Sequence, residues 1–340
     1  MKLIKSSVAA AILAIGSIAA GAAHADTVIF NNAVPANATV ALGVNDDGSL
    51  NTSGGNVAVN SSRTGLAYNF GTPAASDWRD STSPGCFCEG WGVSVNGTTS
   101  GYANVSTDGG PVNLTFGAPT GVSTTSVTTM ASLTSLAGLT VTQSYAVSGA
   151  TSALFQNTVT IKNNTGAAVN DVKYVRVMDW DVPPTEFAEY VTIKGTATTT
   201  LLERSHNNGF NTANPLGGDA PLNAATADVD FTDVGIADHG AYFRFNFGTL
   251  EDGEEYTFEI FYGAAGNEAD ALAAVAAADI ELYSFGQSRG GEITGSPATF
   301  IFGFSGVGGI PVGEVPEPGS LALVGLALAG LCYARRRKQA

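Results

Sequence analysis

Residues 241–247 (AYFRFNF) and 256–262 (YTFEIFY) decide the fold, because apolar side chains recur at every second position of both segments. One face of the first segment carries Phe243, Phe245 and Phe247. One face of the second carries Tyr256, Phe258, Ile260 and Tyr262. This period is typical of β-strands with one buried face. Only residues 248–255 separate the two segments, so the sequence predicts a hairpin or a meander pair.

Similar alternation predicts further strands at 139–147, 155–161, 172–181 and 300–304. The segment 172–181 has apolar residues on both faces, which indicates a central strand. One face carries Val172, Tyr174, Met178 and Trp180, and the other carries Val175 and Val177.

One short helix is expected near 267–278, with Asn267 as its N-cap and strong helix formers after it. A strand at 280–285 follows almost at once. The prediction is an all-β protein built as a large antiparallel β-sandwich, or as two sandwich halves, over residues 26–312. The stretch 120–134, dense in Ser and Thr, is the candidate internal boundary.

Both ends of the chain contain sorting features. Lys2 and Lys5 precede an apolar run and the small residues Ala23 and Ala25, which predicts a helical secretory signal peptide over residues 1–25. A buried N-terminal helix is the alternative. Residues 319–334 are apolar enough for a transmembrane helix that is slightly short for the hydrocarbon core. The basic residues that follow should stay cytoplasmic, so the body should be exported.

The tail 315–340 contains three parts in a fixed order. Val315, Pro316, Glu317, Pro318 and Gly319 come first, then the apolar span, then Arg335, Arg336 and Arg337. This order resembles the PEP-CTERM sorting signal. The resemblance implies processing by an exosortase, a membrane-embedded enzyme, in bacteria that make extracellular polysaccharide. An ordinary single-span membrane anchor is the alternative.

The body has a weaker resemblance to a β module of exported bacterial surface proteins, which would span roughly residues 27–310. It rests on the segments 43–48 (GVNDDG), 83–92 (SPGCFCEGWG), 178–181 (MDWD) and 261–268 (FYGAAGNE). The resemblance implies a surface β module and no particular chemistry.

The composition restricts the partners of the exported region. Residues 26–334 contain nine Lys and Arg against thirty Asp and Glu. Such a surface repels nucleic acid and anionic lipid. It can attract cations, and calcium is the cofactor to consider because its preferred ligands are carboxylate and carbonyl oxygens.

Cys86 and Cys88 are separated by one residue. In an oxidising compartment a disulfide between them, two free thiols, and metal or redox chemistry all remain open. A zinc site would need His206 and His239 as well, and neither histidine has a partner at a zinc-motif spacing.

Asp179 and Asp181 flank Trp180 on one predicted strand, so their carboxylates should lie on the same face about 7 Å apart. Three interpretations follow: a calcium site, a sugar site, or a solvated strand end with Trp180 in the core. Asp228, Asp230, Asp233 and Asp238 form an acidic stretch that is a second candidate for calcium. The loop 45–51 has the alternating polar residues of a calcium loop but lacks its first acid and its closing Glu.

These patterns favour an exported protein that is membrane-anchored before processing and then lies at the cell surface or outside the cell. The expected role is structural or adhesive, in association with exopolysaccharide, and not enzymatic. A polysaccharide-acting enzyme and a calcium-dependent carbohydrate-binding module are the alternatives. The enzyme hypothesis lacks a coherent acid–base or nucleophile set in the sequence.

Overall fold

The computed structural model describes residues 27–104, 109–289 and 298–313. This part of the chain folds into eighteen strands and one α-helix, with two short 3-10 helices at Pro35–Asn37 and Ala224–Thr226. The strands form three sheets, and all strand pairs in them are antiparallel. The predicted signal peptide (1–25), transmembrane segment (319–334) and sorting residues (315–319 and 335–337) lie outside the described residues.

A five-stranded sheet forms one layer, in the order β13-β15-β11-β5-β6. Its strands are β5 (Glu89–Val95), β6 (Thr99–Asn104), β11 (Lys173–Trp180), β13 (Leu202–His206) and β15 (His239–Asn246). Strand β11 lies in the middle, so the central strand predicted at 172–181 is confirmed. Both of its faces are covered, and for that reason it has apolar residues on both.

A nine-stranded sheet forms the opposite layer, in the order β14-β12-β17-β18-β16-β10-β9-β8-β7. Its strands are β7 (Leu114–Phe116), β8 (Ser126–Leu133), β9 (Leu139–Val147), β10 (Leu154–Asn163), β12 (Glu189–Lys194), β14 (Phe231–Ala237), β16 (Glu255–Ala265), β17 (Leu282–Ser288) and β18 (Thr299–Ser305). The stretch 120–134 contains β8, which is hydrogen-bonded to β7 and β9 inside this sheet.

Aromatic side chains fill the space between these two sheets. Phe243 of β15 lies edge-on to Phe302 and Phe304 of β18, at centroid distances of 5.5 and 5.1 Å. Tyr174 of β11 meets Phe258 of β16 at 5.1 Å. Such pairs add about 0.5–1.5 kcal/mol each to the burial of their apolar area. The two layers therefore form a β-sandwich with one continuous core.

A four-stranded sheet and the helix cover the remaining faces. The sheet has the order β1-β2-β3-β4, with β1 (Thr27–Phe30), β2 (Val40–Val44), β3 (Leu66–Asn69) and β4 (Trp78–Asp80). Helix α1 (Glu268–Ala277) buries Ala271, Ala274 and Val275 against a second apolar cluster on the nine-stranded sheet. Asn267 caps the helix by accepting a hydrogen bond from the Asp270 amide at 2.9 Å, so the predicted helix is confirmed.

The predicted pairing of 241–247 with 256–262 is wrong, although both segments are strands. Strand β15 belongs to the five-stranded sheet and β16 to the nine-stranded sheet. The connection between them crosses from one layer of the sandwich to the other. Within the described ranges, no helix has the length and hydropathy that crossing a membrane requires.

Candidate functional site

Four acidic side chains meet where the chain passes between the two layers. Strand β14 ends at Ala237 in the nine-stranded sheet, and β15 begins at His239 in the five-stranded sheet, so Asp238 lies between them. Because Trp180 pairs with His239, Asp181 comes next to Asp238. Because Glu189 pairs with Ala237, its side chain reaches the same corner. We call Asp179, Asp181, Glu189 and Asp238 the carboxylate cluster.

The cluster is tightly enclosed on the Asp179 side. A Cβ added to Gly209 would lie 2.8 Å from Oδ1 of Asp179, and one added to Gly240 would overlap the carbonyl oxygen of Met178. The backbone therefore approaches β11 as closely as glycine allows. Asp179 is 1% exposed, and Asp181 and Glu189 are 0% exposed, whereas Asp238 is exposed. Solvent consequently reaches the cluster from the Asp238 side.

Little in the protein compensates these buried carboxylates. Oδ1 of Asp179, both carboxylate oxygens of Asp181 and Oε2 of Glu189 are buried without a hydrogen-bond partner. In the described part of the chain, no Lys or Arg side chain forms an ion pair with any member of the cluster. A buried polar atom without a partner costs about 1–3 kcal/mol, and a charged one costs more.

The pKa values reflect this environment. Burial raises the pKa of Asp181 to about 10 and that of Glu189 to about 9, and repulsion from neighbouring carboxylates adds to both. Burial, with repulsion from Asp238, holds the pKa of Asp179 well above its ordinary value. Burial also lowers the pKa of His239 to about 4, so this ring is neutral at pH 7 and supplies no positive charge.

Two other buried carboxylates show how the chain compensates such groups elsewhere. Asp80 accepts hydrogen bonds from the backbone amides of Gly65, Thr82 and Ser83 at 2.7–2.9 Å. Glu89 forms an ion pair with Arg176 and accepts a hydrogen bond from the Leu50 amide at 2.7 Å. The carboxylate cluster has no such ion pair, and its support is weaker: the His239 amide donates to Oε1 of Glu189 at 3.2 Å, while four other carboxylate oxygens stay unpaired. This makes it the strongest candidate site in the described residues.

The interpretation of Asp179 and Asp181 as a solvated strand end with Trp180 in the core is wrong about the solvation of the two carboxylates. Trp180 lies fully in the core, as that interpretation required, but both carboxylates are buried. The sequence could not show this, because the cover comes from residues near Gly209 and from Cys86, whose Sγ lies 3.5 Å from Oδ2 of Asp179.

Asp228 and Asp230 do not join the cluster. Asp228 forms an ion pair with Arg204 and accepts a hydrogen bond from the Ser205 amide at 2.8 Å. Asp230 accepts hydrogen bonds from the amide and hydroxyl of Thr196 at 2.9 and 2.8 Å. Both side chains stabilise loops of their own, apart from Asp179 and Asp181, and calcium binding at this second candidate stays a prediction.

Cys86 and Cys88 are joined by a disulfide, with Cα atoms 5.2 Å apart. Two groups of potential metal ligands occur among the described residues, one formed by the two cysteines with Asp179 and one by Asp179, Asp181 and Asp238. Neither group contains His206 or His239, so the structure does not bring the proposed zinc ligands together.

The loop 45–51 serves a polar network inside the core. The carbonyl oxygen of Gly48 accepts hydrogen bonds from Arg176 at 3.2 Å and from the Tyr145 hydroxyl at 2.7 Å. Arg176 is 0% exposed and also donates to Gln143 at 2.8 Å. Burial opposes its charge, but the Glu89 carboxylate together with Tyr145, Tyr174 and Tyr262 outweighs burial and holds the pKa of Arg176 well above its ordinary value. The loop thus covers a buried ion pair.

Sequence reasoning missed Arg176 and Glu189. Position 176 shares a strand face with Tyr174, Met178 and Trp180, so a charged residue interrupts an apolar face there. That interruption was a usable signal for a buried ion pair. Nothing local marks Glu189, which reaches the cluster only through the pairing of β12 with β14.

A surface groove lies beside β3 and β4, with a volume of about 590 Å³. Phe70 is 41% exposed there and meets Tyr68 edge-on at 5.1 Å. Asp77 and Arg79 line the same groove and form an ion pair at 3.2 Å. The groove therefore offers aromatic faces next to charged hydrogen-bonding groups.

Comparison with known protein families gives one match. Residues 314–338 match the model of the PEP-CTERM protein-sorting motif. The chain carries this motif. The PEP-CTERM motif supports an exported protein that an exosortase sorts to the cell surface, so the resemblance seen at 315–337 is confirmed. The comparisons with curated proteins and with solved structures yield no match.

The buried His206 predicts a pH dependence of stability. Its ring stacks on Tyr242 at 4.5 Å, and burial lowers its pKa to about 4 from the ordinary 6.5. Below pH 6.5 the unfolded chain gains a proton that the folded chain does not bind until pH 4. The free energy of unfolding should therefore fall over this range, by about 2 kcal/mol between pH 7 and pH 5 from His206.

Urea unfolding of the wild type and of His206→Gln at pH 7 and pH 5 measures this contribution. His239 and the carboxylate cluster are present in both proteins, so their pH effects cancel in the comparison. The variant should lose less stability than the wild type on acidification. An equal loss in both proteins would contradict the prediction.

Proposed function

We propose that this protein is a non-catalytic structural or adhesive component of the cell surface or extracellular matrix, associated with exopolysaccharide. The PEP-CTERM motif is the observation that carries the proposal, because it supports export and exosortase sorting. The resemblance seen in the sequence connects such sorting with bacteria that make extracellular polysaccharide.

The burial of the carboxylate cluster supports a non-catalytic role. A glycoside hydrolase needs two carboxyl groups that flank the scissile bond and touch it. Asp179 lies near the end of β11 and Asp181 directly follows the strand, so both carboxylates come from one segment, and their exposures of 1% and 0% leave neither accessible to a sugar. Their burial therefore supports a role in which they do not act as an acid–base pair on a polymer at the surface.

The groove between Phe70 and Arg79 is the proposed contact with polysaccharide. A sugar ring has an apolar face of C–H groups that can pack on an aromatic ring, and its hydroxyls need hydrogen-bonding partners. Phe70 and Tyr68 offer the aromatic rings, and Asp77 and Arg79 offer the hydrogen-bonding partners. Such a mixture of aromatic lining and few polar groups is typical of small-molecule sites.

Truncation of Phe70 tests this contact. In co-sedimentation with exopolysaccharide from the producing cells, Phe70→Ala should be retained about tenfold less strongly than the wild type, because an exposed aromatic contact is lost. Met130→Ala is the matched control, since Met130 is 58% exposed on β8 and lies outside the groove. Equal retention of all three proteins would contradict the groove assignment. Release of reducing ends from the polymer would contradict the non-catalytic role.

A further inference from the structure

The carboxylate cluster has the geometry of a cation site. One carboxylate oxygen each from Asp179, Asp181 and Asp238 lies within 4.8 Å of the other two. Two oxygens that bind the same calcium ion at about 2.4 Å can be at most about 4.8 Å apart. We propose that Asp179, Asp181 and Asp238 bind one calcium ion, next to Glu189, at the point where the chain crosses between the two layers of the sandwich.

The buried side chains supply independent support for a ligand. Asp181 is 0% exposed, and neither of its carboxylate oxygens has a hydrogen-bond partner. Oδ1 of Asp179 and Oε2 of Glu189 are also buried without a hydrogen-bond partner. Native proteins rarely leave buried polar atoms unpaired. Elsewhere in this protein, Asp80 is paired with backbone amides and Glu89 with an arginine. A cation bound by Asp179 and Asp181 supplies the positive charge that these buried carboxylates and the neighbouring Glu189 lack.

The donor set selects the class of ion. The cluster offers carboxylate oxygens, which suit calcium, magnesium and manganese better than zinc or copper. The nearby sulfur atoms of Cys86 and Cys88 are bonded to each other and are not thiolate ligands. Nε2 of His239 lies 3.2 Å from the carbonyl oxygen of Glu189 and donates to it, so this nitrogen is not a ligand. Calcium accepts several protein carboxylates, whereas magnesium usually keeps most of its water.

The position of the cluster defines what the ion does. Asp179 belongs to the end of β11 in the five-stranded sheet and Asp181 directly follows that strand, whereas Glu189 begins β12 in the nine-stranded sheet. Asp238 is the residue at which the chain crosses between these layers. An ion held by Asp179, Asp181 and Asp238 therefore fastens the end of β11 to the crossover that follows β14 of the nine-stranded sheet. The proposal does not depend on binding to polysaccharide or on the sorting motif.

Calcium titration of the full chain, purified in detergent after treatment with EDTA, tests the proposal. Isothermal titration calorimetry should show one calcium per chain, with an affinity in the submillimolar range of extracellular sites. The melting temperature should rise by about 3 °C or more at 1 mM calcium. No bound calcium and no thermal shift in a folded wild-type protein would overturn the proposal. An equal response to magnesium would overturn the assignment to calcium.

Single Asp→Asn changes locate the site. Asp238→Asn alters an exposed side chain and should leave the protein folded, but calcium affinity should fall at least about 100-fold. Asp181→Asn should also abolish calcium binding and should not lower the melting temperature in EDTA, because it removes a buried carboxylate that lacks a partner. Asp230→Asn is the matched control, and its calcium response should equal that of the wild type. Unchanged calcium binding in Asp238→Asn and Asp181→Asn would overturn the placement of the ion.

Discussion

Replacement of Arg176 by methionine is expected to lower the free energy of unfolding by about 3–5 kcal/mol, because it leaves the buried charge of Glu89 without a partner. Arg176 and Glu89 are both 0% exposed. The guanidinium also donates to Gln143 at 2.8 Å and to the carbonyl oxygen of Gly48 at 3.2 Å, and each of these acceptors loses one of its donors as well. Since domains are typically stable by only about 5–15 kcal/mol, this is a large share of the total.

The network explains why the effect should be global. Arg176 lies on β11 and Gln143 on β9, so the guanidinium connects the facing layers of the sandwich. Gly48 brings the loop 45–51 onto the same group, and the Leu50 amide of that loop donates to Glu89. The ion pair therefore holds two sheets and one loop together, and its loss should be felt in all three.

Urea unfolding at pH 7, followed by tryptophan fluorescence, measures the loss. Lys162→Met is the matched control, because Lys162 forms an ion pair with Glu255 at 3.3 Å on the surface, with side chains 42% and 51% exposed. Its change should cost no more than about 1 kcal/mol. Adding Glu89→Gln to the Arg176→Met variant should recover part of the stability, since the unpaired charge is then gone. Equal stability of the two methionine variants would contradict the assigned role of the network.

The strands were predictable because apolar and polar residues alternate along a strand that has one buried and one exposed face. This signal located 139–147, and the structure places β9 at Leu139–Val147. The helix was predictable from Asn267 and the alanines that follow it. The placement of β15 and β16 in different sheets was not predictable, because the side-chain pattern of a strand identifies its buried face but not its sheet. Two strands that face each other across a core can have the same pattern as two strands that pair.

The candidate site was also predictable only in part, namely in the positions that one strand sets. The period of a strand places Asp179 and Asp181 on one face, and both lie in the cluster. Asp238 was part of the acidic stretch 228–238, but its neighbours Asp228 and Asp230 have partners of their own in Arg204 and Thr196. Which acid of the stretch reaches Asp181 depends on the crossover between sheets at residues 237–239. That crossover is set by tertiary packing, so composition could not distinguish Asp238 from the others.

Replacement of Pro316, Glu317 and Pro318 by alanine is expected to abolish sorting, with nearly all of the protein kept at full length in the membrane fraction. These residues lie inside the matched PEP-CTERM motif, which supports recognition by an exosortase. Proline fixes its own φ and keeps the preceding residue out of the helical region. The wild-type sequence therefore favours an extended segment that a processing enzyme can bind, whereas alanines favour continuation of a helix.

Fractionation of the producing cells, with immunodetection of the full-length and processed forms, measures this effect. Pro311→Ala is the matched control, because Pro311 precedes the motif at 314–338 and its loss should leave sorting unchanged. The melting temperature of the sandwich should be the same in all three proteins, which separates a sorting defect from misfolding. Because the sandwich and the motif occupy different residues, a triple-alanine variant that is processed and released like the wild type would show that recognition does not use this tripeptide.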